Sequence, residues 1–214
     1  MTSSPAGLMG RARLVNTSAG GGGGGVTGGG SDVVVTEGEY AGMAATDVLQ
    51  DVTRKLMDCR KRKAAANAVD LLVGLGRAGI EPDLLASTAC LGACVAGGKM
   101  ELAGKVFEEV FEKGVVAPDE VVFTELMRGH LAADPPAWAR VMGLLSRMPD
   151  YDVDPTALTY NLLLGKCADD NELERAEGLI ERMVEEGVEP DGRTLDAVKK
   201  RRSIRSFAKK MLVL

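Results

Sequence analysis

Apolar positions recur along most of the chain at spacings of three and four, the period of helices with one buried stripe. The pattern is clearest near the C-terminal end. Leu158, Leu162 and Leu163 predict an apolar face on a first helix, and Leu173, Ala176, Leu179, Ile180 and Met183 predict one on a second. Between them Asp169, Asp170 and Asn171 predict a turn whose side chains cap the second helix. Glu172 and Glu174 favour the positive end of that helix. Gly187 is placed to end it in a left-handed conformation, and Pro190 forbids its continuation. One stretch earlier, Asp134-Pro135-Pro136 reads as a cap followed by prolines in the first helical turn. No strand pattern of convincing length occurs after residue 42.

The same layout repeats. Pro82, Pro118, Pro155 and Pro190 are separated by 36, 37 and 35 residues, and all but Pro155 are followed by Asp. Ala68, Ala103, Ala139 and Ala176 keep similar spacing, which suggests close helix–helix approach at those positions. Gly79, Gly114 and Gly187 precede three of the prolines, while Ser87, Phe123, Tyr160 and Leu195 follow the four at a constant offset of five. Each period holds a helical hairpin that cannot bury its own apolar face. It must stack on its neighbours. The predicted fold is all-α: a right-handed α-solenoid of three to four helix-turn-helix repeats.

Composition sharpens this in two places. The 214 residues carry a net charge of −5, but residues 84–191 hold 9 basic and 21 acidic side chains, whereas residues 192–214 hold 8 basic and 1 acidic. An acidic body with a basic tail does not suit a protein that coats duplex DNA, and leaves single-strand reading or protein contact open. Residues 1–41 have no acid before Asp32, contain Arg11 and Arg13 with several Ser and Thr, and run into the glycines 20–25 and 28–30. That segment is expected to be a disordered Gly-rich linker. It reads as an organelle transit peptide, for chloroplast or mitochondrion, or as a tail with no address, which would leave the protein cytoplasmic. No run approaches the length of a membrane-spanning helix.

Ala157-Leu-Thr-Tyr-Asn161, ending 30 residues later in Gly187-Val-Glu-Pro-Asp191, resembles a pentatricopeptide repeat, with Leu173-Glu-Arg-Ala-Glu opening its second helix. The resemblance covers roughly residues 45–200. A degenerate hairpin at 42–83 precedes repeats at 84–119, 120–156 and 157–191, and 192–214 forms a basic capping helix or partial repeat. The resemblance implies binding of single-stranded RNA, one base per repeat, read by two or three side chains. It pairs a first-helix residue with the last residue of the same repeat: Thr88 with Asp119, Thr124 with Thr156, and Asn161 with Asp191. In the family an Asn–Asp pair resembles a uridine reader and a Thr–Asp pair a guanine reader. Repeat 120–156 departs from the pattern by its length and by Thr156 in place of Asp.

The implied function is a non-catalytic RNA-binding adaptor in organellar RNA metabolism. Its alternative is a protein-interaction scaffold, or a relative of the RNA-binding region of protein-only RNase P, whose aspartate cluster is not matched here. Base contacts contribute roughly 1–3 kcal/mol each, and association costs about 4–15 kcal/mol. Three repeats alone are therefore expected to bind weakly, within a longer assembly or with a protein partner.

Other motifs are weaker. Gly74-Leu-Gly76-Arg-Ala-Gly79 matches a dinucleotide fingerprint but follows a helical run, with Pro82 close behind. Ala93–Lys99 lacks the first Gly and the Ser or Thr of a phosphate loop. Cys90 and Cys94 lie one turn apart with no second ligand pair, so Cys59, Cys90, Cys94 and Cys167 read as free core thiols. His130 and Trp138 read as packing residues, Trp138 in the groove between repeats. In the tail, Ile204, Phe207, Met211 and Leu212 share one face beneath Lys and Arg side chains. No catalytic residue, metal or cofactor is implied.

Overall fold

The computed structural model describes Tyr40 and residues 42–212. The Gly-rich segment and the transit-peptide reading fall outside these residues. Among the described residues every regular element is helical. They form two compact units that divide between Gly97 and Gly98.

The first unit holds α1 (Ala45–Arg62), α2 (Ala65–Arg77) and α3 (Leu84–Ala96). Val52, Leu56, Ala68, Leu71 and Leu75 of α1 and α2 are wholly buried, as are Cys90, Leu91, Ala93 and Cys94 of α3, which packs on both helices. Small residues let the helices approach closely. A Cβ on Gly97 would stand 2.9 Å from the Lys63 carbonyl oxygen, so that junction admits only glycine without movement. Tyr40 lies against α1, where its hydroxyl donates to Asp51 at 2.8 Å and accepts from Lys55.

The second unit opens with α4 (Met100–Val106), which runs into a π-helical turn, Phe107–Glu112. Then come α5 (Glu120–Leu131), α6 (Trp138–Arg147) with a 3-10 turn to Tyr151, α7 (Ala157–Asp170), α8 (Leu173–Glu185), α9 (Thr194–Ala197) and α10 (Arg202–Met211). Rings of Phe107, Phe111, Phe123 and Tyr151 cluster at centroid separations of 5.5–5.9 Å. They tie the second helix of one repeat to the hairpin that follows. The short α9 packs on α7 and α10 packs on α8, with Ile204 and Ala208 buried and Phe207 and Met211 half-buried. Arg201 donates from Nε to the Ala168 carbonyl at 2.8 Å, satisfying the open end of α7.

One backbone device marks every period. Gly79, Gly114, Asp152 and Gly187 have φ of 72°, 72°, 57° and 67°. Just after each, a residue donates back into the helix: Ile80 to Leu75, Val115 to Val110, Val153 to Met148 and Val188 to Met183. This six-to-one bond with a left-handed residue is the Schellman ending. Asp152 fills the fourth position, where the sequence showed no glycine.

That fourth position corrects the register of the third repeat. Ala68, Ala103 and Ala176 are wholly buried and lie eleven residues before their left-handed residue, but Ala139 is exposed. The residue eleven before Asp152 is Val141, which is buried. A six-residue connection, residues 132–137, replaces the two-residue loop seen between α7 and α8, and displaces the helix start. Ala137, not Asp134, is the residue before α6, and its side chain makes no cap.

Two further expectations change. Asp169 and Asp170 belong to α7 and bind Lys200 and Lys166, and Asn171 ends that helix at φ 61° instead of capping α8. Leu158 does not face the core. The buried stripe is Thr159, Tyr160, Leu163, Leu164 and Cys167, about 100° around the helix. Leu173 is likewise partly exposed, at the first position of α8.

Left-handed backbone costs an L-residue roughly 1–2 kcal/mol, somewhat less for Asp, and costs glycine almost nothing. Asp152→Gly is therefore expected to stabilise by about 0.5–1 kcal/mol and to raise Tm by about 2–4 °C. A calorimetric scan showing a lower Tm would contradict this placement.

Candidate nucleic-acid interface

The first helix of each repeat starts at a side-chain cap set by the residue after the proline. Asp83 accepts from the Ala86 N–H at 2.7 Å and Asp119 from the Val122 N–H at 3.0 Å. Thr156 accepts from the Leu158 N–H at 3.2 Å. Asp191 accepts from the Arg193 N–H at 2.9 Å and from the Thr194 hydroxyl at 3.1 Å. These caps fix the first turn of each helix, and so the side chains it presents.

What the turn presents is unusual. Leu85, Val121 and Leu158 all stand three residues after their proline, and all are exposed, at 54%, 40% and 44%. One helical turn further on the same face are Thr88, Thr124 and Asn161. An exposed apolar side chain beside a polar one, at the same place in each period, provides a flat contact for a ring and an edge contact for its polar atoms. The sequence pattern assigned Leu158 to the core and passed over Leu85 and Val121. Their constant offset from the prolines was the available signal.

The polar positions differ from one another. Asn161 donates from Nδ2 to Asp191 at 2.8 Å, so this pair is brought together. Its Oδ1 is buried and has no hydrogen-bond partner. Thr88 lies in the first unit, half-buried, with its hydroxyl also unpartnered. Asp119 lies in the second unit and caps α5. Thr124 is buried, and its hydroxyl donates to the Val121 carbonyl of its own helix at 3.0 Å, away from Thr156. Thr156 is exposed and its hydroxyl is bound by Glu120. A buried polar atom without a partner carries a desolvation cost that a ligand edge can remove.

Electrostatics favour the charged form of the pair. The Asn161 amide, with support from the Arg193 and Thr194 donors, holds the Asp191 carboxyl below the ordinary carboxylate range. A lowered pKa contributes to folding above the unfolded value of about 3.9, and that contribution is lost as pH falls through the lower folded value. An NMR titration of the Asp191 side-chain carboxyl is expected to give a midpoint below about 3.9. A midpoint at or above it would remove the Asn161 bond from the account.

In the first unit, an open groove beside Leu85 is lined by Thr46, Gln50, Thr53, Arg54 and Met57 of α1 and by Asp83. Counting back sixteen residues from the left-handed residues Lys63, Gly98 and Asn171 sets α1 in the same register. Gln50 and Thr53 then take the positions of Leu85 and Thr88. The weak N-terminal hairpin hid this because no proline introduces it.

The remaining candidates behave as structural parts. Gly74 is buried in α2, and Gly79 ends that hairpin. Cys59, Cys90, Cys94 and Cys167 are free and buried. The hydrogen bond that Cys90 donates to Cys94, together with burial, pushes the Cys90 thiol up, and accepting the same bond lowers Cys94. Burial and the nearby Arg140 lower the half-buried His130. Trp138 starts α6, with the Arg175 guanidinium 4.5 Å from its ring centre. Among the described residues no group of three or more His, Cys, Asp or Glu is placed to hold a metal ion, and no helix is long and apolar enough to cross a membrane.

Capped first helices, Schellman-ended second helices and a period near 35 residues define a helical-hairpin repeat protein. The pentatricopeptide repeat domain model matches residues 70–130, and the PPR repeat model matches residues 158–188. The chain belongs to the pentatricopeptide repeat family. Its fold is similar to that of the pentatricopeptide repeat protein PPR10 from maize, with a TM-score of 0.60 and 24% identity over 76% of this chain. The match spans only 24% of the maize chain. It is also similar to the PPR domain of Arabidopsis thaliana protein-only RNase P 1, solved in complex with tRNA, with a TM-score of 0.57 and 21% identity. That match covers 78% of this chain and 88% of the domain. No curated protein matches the chain.

Proposed function

We propose that this chain is a non-catalytic adaptor that binds single-stranded RNA and acts in organellar RNA metabolism. The observation that carries the reading is the recurring first-turn pair, an exposed apolar side chain followed one turn later by a polar one. At Asn161 and Thr88 the polar atom is buried and unpartnered. Base faces pack on Leu85 and Leu158, and base edges meet Thr88 and Asn161. Asp191 orients Asn161, and the resemblance of that pair to a uridine reader supplies the expected base. Asp119 is a weaker contact of the set, while the hydroxyl protons of Thr124 and Thr156 are committed within the protein. Family membership supports RNA as the ligand class, and the solved relative named with tRNA is a precedent.

The acidic charge over residues 84–191 offers little attraction to phosphate, so affinity for a short strand is low. Exposed Arg202, Arg205, Lys209 and Lys210 on α10 provide the main basic surface of the second unit. A protein partner or a longer array completes the binding, and the acid-free, Arg- and Ser-bearing residues 1–31 support a chloroplast or mitochondrial location. Filter binding of the purified chain to short single strands containing uridine and guanosine tests the reading. It expects micromolar, salt-sensitive retention without strand cleavage in the presence of magnesium. No retention at micromolar protein would overturn it.

A further inference from the structure

The boundary between the repeats 120–156 and 157–191 is the one that carries Thr, not Asp, after its proline. Its helix start is nevertheless held by a carboxylate, which comes from elsewhere. Glu120, in the first turn of α5, reaches the start of α7. There its Oε1 accepts from the Thr156 N–H and hydroxyl, both at 2.9 Å, from the Thr159 N–H at 3.2 Å and from the Thr159 hydroxyl at 2.6 Å. Its Oε2 also lies 2.9 Å from the Thr156 hydroxyl. Thr159 and Thr194 both stand four residues after their proline, and Asp191 accepts from Thr194 as Glu120 does from Thr159. The carboxylate lost from position 156 is thus supplied by the preceding repeat.

The consequence differs from that at Asp191. There the carboxylate orients Asn161 and leaves Asn161 Oδ1 without a partner. At the third boundary a hydroxyl has one proton to give, and Thr156 gives it to Glu120. The Thr124 hydroxyl gives its proton to the Val121 carbonyl. Both side chains that would read a base are occupied inside the protein.

We propose that Glu120 is a specificity-determining residue that closes the third reading position. The nucleotide facing repeat 120–156 is passed over without discrimination, between neighbours that are read. This rests on the RNA-binding reading above and deepens it. Val121 remains exposed there, so the nucleotide still packs while its edge goes unread.

The test compares Glu120→Ala, Thr156→Asp and the double variant, all in the full chain. In thermal scans Glu120→Ala is expected to lower Tm by several degrees, and adding Thr156→Asp to restore it, because the cap then returns to its usual residue. In fluorescence anisotropy, single strands vary one base beside the nucleotide that Asn161 contacts. The wild-type chain should bind all four within about twofold, and the double variant should spread them by about fivefold or more, the lower range for one specific contact. Thr156→Asp alone, with Glu120 still in place, should remain within about twofold. An equal spread in Thr156→Asp and in the double variant would assign the gain to the new aspartate alone and overturn the role of Glu120. A flat response in the double variant overturns the proposal. So does a wild-type preference that Glu120→Ala abolishes, since Glu120 would then be a reader. Failure of every strand to bind the wild-type chain overturns the RNA-binding reading and this assignment with it, whereas the preceding outcomes overturn this assignment alone.

Discussion

Asn161→Ala is expected to weaken binding of a uridine-containing single strand by about tenfold, within the roughly 1–3 kcal/mol that one base contact contributes. Two effects combine. The substitution removes the buried, unpartnered Oδ1, and it removes the amide that holds the Asp191 carboxylate in place. Asn161 is only half-buried, so the fold should tolerate the change and Tm should stay within a few degrees of wild type. Fluorescence anisotropy with matched uridine and adenosine strands separates specificity from general affinity. The difference between the strands should collapse, while the salt dependence stays the same because no phosphate contact has been touched. Unchanged affinity and preference would remove Asn161 from the interface.

A larger effect on stability is expected at the neighbouring position. Tyr160 is wholly buried, and its hydroxyl donates to Glu186, which also accepts from Arg182 at 2.6 Å. Burial and the Glu186 carboxylate together push the Tyr160 phenol far up, so it is neutral at any working pH. Tyr160→Ala empties an aromatic site in the core and should cost about 3–5 kcal/mol. Tyr160→Phe keeps the ring and leaves Glu186 paired with Arg182, and should cost about 1 kcal/mol. Urea unfolding of both variants measures the difference. A cost below about 1 kcal/mol for Tyr160→Ala would mean that the landmark five residues after each proline does not anchor the repeats.

The periodicity of the chain was legible because prolines and glycines act through backbone rules that leave little freedom. Pro82, Pro118 and Pro155 each stand two residues before a helix, α3, α5 and α7, and Gly79, Gly114 and Gly187 adopt the left-handed state the spacing required. Asp152 was missed because Asp tolerates that state without announcing it. Ala139 misled because alanine is common on both faces of a helix, and the long connection with Pro135 and Pro136 shifts the true register to Val141. Leu158 misled in the opposite direction. A leucine at helical spacing is ordinarily core, and only comparison with Leu85 and Val121 reveals a repeated exposed position. The family pattern named Asn161 and Asp191 as a base-reading pair, and the bond between them is seen only in the structure. The grip of Glu120 on Thr156 and Thr159 was not, since it joins residues 36 and 39 apart through a cap that no local pattern encodes.

On the proposed reading, the first turns of successive hairpins meet RNA bases. The most direct measurement is photo-cross-linking of a short single strand carrying one 4-thiouridine, with the attached peptides located by mass spectrometry. Adducts are expected on the peptide around Leu158 and Asn161, and they should be lost on Asn161→Ala. Adducts confined to α10 or to the second helices of the hairpins would contradict it.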